Sequence, residues 1–162
     1  MKMMTKLDSI TVGILWDRLV SITDEIVNAL VRTSFSTNVR ESYDLSCMLF
    51  DGRGRSIAQG SYSVPSFTGT GPITLQHMLE RFPPETLRPG DIIVTNDPWL
   101  GTGHMFDINV MQPVFRKERI VGYCMSISHL PDIGGRGFSG VEGEAYSEGR
   151  RVPVPEGPRG GM

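Results

Sequence analysis

Two His-x-x-Asp units constrain this chain more than any other feature. The first is His104-Met105-Phe106-Asp107 and the second is His129-Leu130-Pro131-Asp132. Between them, residues 108–115 and 120–127 read as the strands of one β-hairpin turning at Lys117-Glu118. The two units therefore sit at the two ends of the hairpin, and they use two of the three histidines in 162 residues. Hairpin strands lie about 5 Å apart, so a group just before the first strand and one just after the second converge in space. Neutral imidazole with carboxylate suits Zn, Mn, Fe or Mg. Asp97, across the loop of Gly101 and Gly103, is within reach of the same site, because glycine lets backbone approach closely or take positive φ. Asp97, His104, Asp107 and His129 are thus candidate metal ligands. A plainer account stays open from spacing alone: Asp97 starts an Asx turn before Pro98, and the histidines are hydrogen-bonded loop residues.

The remaining composition narrows the class. Net charge is −2 and no basic patch is present, which argues against nucleic acid. No apolar run approaches the ~20 residues of a membrane helix. Asp8 and Asp17 interrupt any signal-peptide core, so the chain reads as cytoplasmic. Cys47 and Cys124 lack metal spacing and lie in apolar strand patterns, where a buried free thiol is the default. No G-x-x-x-x-G-K-[ST] loop for ATP and no G-x-S-x-G elbow occur.

Asp8 is placed to cap a helix running to about Arg32. Val12, Leu15, Leu19, Ile22, Ile26 and Leu30 recur at helical spacing and form one face of it. Such a helix is ~38 Å long at 1.5 Å per residue, more than a domain of this size covers. Residues 33–44 read as a polar connection, with Arg40, Glu41 and Asp44 either solvated or feeding a carboxylate into the site. Strands follow at 45–50 and 56–59, joined by Asp51-Gly52-Arg53-Gly54. Residues 60–71 read as a Ser/Thr/Gly-rich loop, and a short helix is expected to start at Pro72. His77 pairs with Glu80 on that helix and is not counted as a ligand. A strand at 92–95 delivers Asn96-Asp97. Nine of the 19 glycines fall in the last 31 residues, and residues 142–162 have no periodicity. The expectation is an α+β segment, with a long N-terminal helix, β-hairpins and a short helix around a mixed or antiparallel sheet. It is expected to be an incomplete part of a larger fold, with apolar helix residues such as Ile22, Ile26 and Leu30 unusually exposed.

Further motifs sharpen this. Arg40-Glu41-Ser42-Tyr43-Asp44-Leu45-Ser46-Cys47, Asn96-Asp97-Pro98, Gly103-His104-Met105-Phe106-Asp107, His129-Leu130-Pro131-Asp132-Ile133-Gly134-Gly135 and Glu148-Gly149 occur in order along the chain. Together they resemble the N-terminal region of hydantoinase B/5-oxoprolinase proteins, a group that includes the alpha subunits of acetone and acetophenone carboxylases. The resemblance spans nearly the whole of residues 1–162 and implies the N-terminal segment of a longer domain.

The resemblance implies an ATP-dependent amidohydrolase acting on a hydantoin, 5-oxoproline or similar lactam. ATP would be used by an A-type partner, which phosphorylates an amide or carbonyl oxygen, in a hetero-oligomer. It also implies a divalent metal, Mn or Zn, on Asp97, His104, Asp107 and His129. Glu41 or Asp132 would move the proton, Asp132 serving otherwise as a weaker ligand or an orienting carboxylate. The alternatives are the corresponding part of a ketone carboxylase, or a non-catalytic segment whose long helix docks on other subunits. The chain departs from the family pattern twice. Ser128 stands where many relatives have a further histidine, a change expected to alter metal affinity or reaction type. Thr102 stands where relatives usually have glycine, a change expected to affect loop geometry alone.

Overall fold

The computed structural model describes residues 7–130, together with the backbone of Tyr146–Ser147 and Arg150–Arg151. Asp132 and the rest of the 142–162 segment lie outside the described residues. The Asp8 cap forms as the sequence indicates. Its Oδ1 accepts from Thr11 N at 2.9 Å and its Oδ2 from Thr11 Oγ1 at 2.8 Å. Helix α1 then runs Ser9–Thr33. The polar connection contains a short helix, α2 (Thr37–Ser42), capped by Ser36. Strands β1 (Leu45–Asp51) and β2 (Ser56–Gln59) follow, then helix α3 (Pro65–Arg81) and a 3-10 turn at Pro84–Thr86. After β3 (Ile93–Thr95) come the long hairpin strands β4 (Asp107–Arg116) and β5 (Arg119–His129). Strands β6 (Tyr146–Ser147) and β7 (Arg150–Arg151) form a separate two-stranded ladder.

The main sheet has order β2-β1-β5-β4-β3, and every pairing in it is antiparallel. The fold is therefore α+β, with the sheet antiparallel rather than mixed. Side chains alternate between the faces of a strand, so each face collects its own residues. One face carries Met48 and Phe50 of β1, Tyr123, Met125 and Ile127 of β5, and Met111 of β4. Phe67, Leu75 and Met78 of α3 pack on them. The opposite face carries Leu45 and Cys47, packed with Val27 of α1 and Val39 of α2. Burial raises the Cys47 thiol to about 12, so this cysteine behaves as an apolar core group.

Two helices differ from expectation. Helix α3 begins at Pro65, not Pro72, which lies inside it. The Thr and Gly residues that suggested a loop have a place in this helix. Thr68, Thr70 and Thr74 hydroxyls donate to carbonyls four residues back. Gly71 lies against Met48, where a Cβ would meet Met48 Sδ at 2.8 Å. In α1, the buried residues are Thr23 and Val27, with Ile26, Leu30 and Val31 packed beside them. The N-terminal half does not reach the sheet. Ile10 is 78 % exposed, Ile14 64 % and Trp16 54 %, and Val12, Leu15 and Ile22 are exposed too. Apolar residues surround this half of the helix on nearly every side, so periodicity could not select the face that packs. Exposed apolar surface of this kind marks a contact region.

Two outcomes test the packing. Gly122→Ala should destabilise the chain by about 1–3 kcal/mol in urea denaturation, because its Cβ would stand 2.5 Å from the backbone oxygen of Phe50. The purified chain should self-associate in light scattering, and Ile14→Glu with Trp16→Glu should suppress this. A monodisperse wild-type monomer would remove the case for α1 as a contact surface.

Candidate metal centre

The sheet register builds the site. Asp107 opens β4 and His129 closes β5, and the two are directly paired across the ladder. Alternation places both side chains on the face that carries Asn109, Met111 and Ile127. Three contacts fix the main chain around His129. Its N–H donates to Asp44 O at 3.1 Å, its carbonyl accepts from Ser36 Oγ at 2.8 Å, and the following Leu130 N–H donates to Phe106 O at 2.9 Å. Ser36 Oγ also caps α2 by accepting from Val39 N. Helix α2 ends at Tyr43, whose left-handed φ of 53° turns the chain so that Asp44 enters beside His129.

The side chains converge accordingly. Asp107 Oδ1 lies 2.9 Å from His129 Nδ1 and 3.7 Å from His104 Nδ1. The two imidazoles are stacked, with ring centroids 5.1 Å apart and planes 11° from parallel, and Phe106 flanks both. Thr102 Oγ1 donates to Asp107 Oδ2 at 2.6 Å. Asp44 Oδ2 is 3.8 Å from His129 Nδ1. Burial raises the Asp44 carboxyl above its ordinary value. His129 and His104 oppose that shift, and Asp107 adds to it.

One ligand atom from each of His104, Asp107 and His129 lies within 4.8 Å of the others. Ligands about 2.1 Å from one ion lie about 3.0 Å apart at right angles and about 4.2 Å apart when opposed. The 3.7 Å spacing falls in that range and the 2.9 Å spacing sits at its lower edge. Two imidazoles and a carboxylate could therefore hold a divalent first-row ion, with positions left open for other ligands.

Three of the four expected ligands meet in this group. Asp97 is not in it. Its Oδ1 accepts from Trp99 N at 2.9 Å and its carbonyl from Gly101 N at 2.9 Å, the Asx turn of the plainer account. Asp97 instead borders a groove between α3 and β3, with His77, Arg81, Phe82 and Ile93. Glu41 is exposed on α2, whereas Asp44, three residues on, joins the site. Thr102 does more than shape its loop, because its hydroxyl reaches the Asp107 carboxylate. No spacing rule signals that contact, since it depends on how the turn folds. Ser128 pairs with Leu45 and Ile108 on the opposite face of the sheet from His129. A histidine at 128 would therefore point away from this group.

Comparison with known proteins identifies relatives of the chain. The sequence model described as Hydantoinase B/oxoprolinase matches residues 8–157. A protein of Pseudomonas sp. (strain NS671), provisionally named as the B-type component of a D-/L-hydantoinase, is 33% identical over 150 residues, covering 89% of this chain and 25% of that one. The 5-oxoprolinase 1 of Arabidopsis thaliana is 36% identical over 128 residues, covering 79% of this chain and 10% of its own. Among solved structures, the ATP-dependent caprolactamase from Pseudomonas jessenii superposes with a TM-score of 0.62 at 26% identity, covering 82% of this chain and 22% of that one. Nucleotide-free acetone carboxylase gives 0.68 at 22% identity, covering 77% and 16%, a likeness of fold alone. The chain spans about a quarter or less of the length of these relatives.

The buried Asp107–His129 contact makes a prediction independent of any ion. Asp107→Ala removes the acceptor facing His129 Nδ1 and Thr102 Oγ1 and should cost about 1–3 kcal/mol. Glu41→Ala, on exposed α2, should stay within about 0.5 kcal/mol. Urea denaturation of both variants checks the contrast.

Proposed function

Because the chain belongs to the hydantoinase B/oxoprolinase family, matching its sequence model over residues 8–157, we propose that it carries the metal-bearing site of an ATP-dependent hydrolase opening a cyclic amide. The substrate class is a hydantoin, 5-oxoproline or a related lactam. The observation that carries this is the convergence of His104, Asp107 and His129 at one end of the sheet. Relatives named as 5-oxoprolinases and a caprolactamase support the choice of a cyclic amide. ATP is consumed by an A-type partner, and the functional enzyme is a hetero-oligomer.

His104, Asp107 and His129 would hold the divalent ion, a donor set that accommodates manganese or zinc. When bound, such an ion supplies Lewis acidity, polarising a carbonyl oxygen and lowering the pKa of a water. The stacking of His104 on His129 and the flank of Phe106 keep both rings oriented. Asp107 balances the charge of the ion with a buried carboxylate. A proton must also move as the amide opens, and a side chain has to carry it. Asp44 is half-buried, with its Oδ2 3.8 Å from His129 Nδ1. That supports Asp44 ahead of the exposed Glu41 as the carrier, with Asp132 the other candidate.

Metal analysis is the direct test. After exposure to Zn or Mn and dialysis, the chain should retain about one ion, and His104→Ala and His129→Ala should each weaken retention by at least about tenfold. Supplied with an A-type partner and the downstream part of a family domain, the wild type should support ATP-dependent opening of a cyclic amide. His104→Ala should abolish this while leaving ATP use by the partner intact. A wild-type chain that retains no ion, or turnover undiminished in His104→Ala, would overturn the proposal.

A further inference from the structure

The turn before β4 does more than connect two strands. Gly101 N donates to Asp97 O at 2.9 Å, Gly103 takes a φ of 86°, and Asn96 Nδ2 donates to Met105 O at 3.1 Å. Thr102 is held between the two glycines, and its Oγ1 donates to Asp107 Oδ2 at 2.6 Å. The other oxygen of the same carboxylate, Oδ1, faces both imidazoles, 2.9 Å from His129 Nδ1 and 3.7 Å from His104 Nδ1. Asp107 is buried. A short hydrogen bond to an ionised oxygen is among the stronger ones. It resists rotation of the carboxylate about Cβ–Cγ, which would otherwise exchange the two oxygens or present both at once.

We propose that Thr102 is a positioning residue of the metal centre. Its hydroxyl occupies Oδ2, so that Asp107 offers one oxygen, Oδ1, in a fixed direction, and this sets both the affinity and the coordination geometry of the site. The proposal rests on the assignment of His104, Asp107 and His129 as metal ligands. Thr102 acts only through Asp107. Partners that orient a ligand commonly change metal affinity by about 10–100-fold when removed.

The test compares Thr102→Val, which keeps the shape and loses the hydroxyl, with Thr102→Ser, which keeps the hydroxyl. Zinc affinity is measured by competition with a chelator, and coordination geometry by the visible absorption bands of the cobalt(II)-loaded protein. Thr102→Val should bind zinc at least about tenfold more weakly and shift the cobalt bands, whereas Thr102→Ser should keep the wild-type affinity and spectrum. If circular dichroism shows that Thr102→Val is misfolded, Thr102→Gly takes its place, in a turn that already has glycine on both sides. A hydroxyl-free, folded variant with wild-type affinity and spectrum would overturn the positioning role while leaving the metal assignment standing. A wild-type chain that binds neither zinc nor cobalt would overturn the assignment and the positioning role together.

Discussion

The cross-strand pair of Asp107 and His129 is the contact on which the candidate site depends. It sits at the open end of the hairpin, where β4 begins and β5 stops. A slip of one residue in that ladder would turn one of the two side chains to the opposite face of the sheet. The register is held from both ends. At the turn, Lys117 takes the left-handed conformation that a tight hairpin connection needs. At the open end, Ser36, Asp44 and Phe106 bind the main chain around His129. The chemistry of the pair is thus fixed by hydrogen bonds to the main chain that come from three separate parts of the sequence.

The two faces of the sheet divide the remaining work. Helix α3 crosses the Met- and aromatic-rich face and buries the larger core. Helix α1 covers only the β1–β2 side of the other face. Val27 enters above Gly60, where a Cβ would stand 2.8 Å from Val27 Cγ2, and Asp24 accepts two hydrogen bonds from Ser61. Beyond that point α1 leaves the sheet carrying isoleucine, leucine and tryptophan into solvent. Solved relatives of similar fold have several times more chain than this one.

Much of this was legible from residue types and spacing. The Asp8 cap, the β1–β2 turn, the hairpin of β4 and β5 and the meeting of His104, Asp107 and His129 follow from local rules. The reason is physical: caps, turns and strand alternation act over a few residues, and an antiparallel hairpin brings its own ends together. The α3 boundary escaped those rules because glycine and threonine in the sequence weigh against helix. In the folded chain Gly71 permits a close approach to Met48, and the threonine hydroxyls are satisfied by the helix itself.

The sequence alone therefore determined the α+β class, the hairpin of β4 and β5 and the meeting of His104, Asp107 and His129. Tertiary structure decided what depends on which side of an element faces which neighbour. It chose Thr23 and Val27 as the buried stripe of an α1 whose pattern offered several. It turned Asp97 into an Asx turn, left Glu41 exposed and brought in Asp44, since a carboxylate's direction follows from backbone angles set elsewhere. It put Thr102 on Asp107, a contact made by the shape of a turn rather than by any spacing, and it sent Ser128 to the far face because neighbours on a strand point in opposite directions.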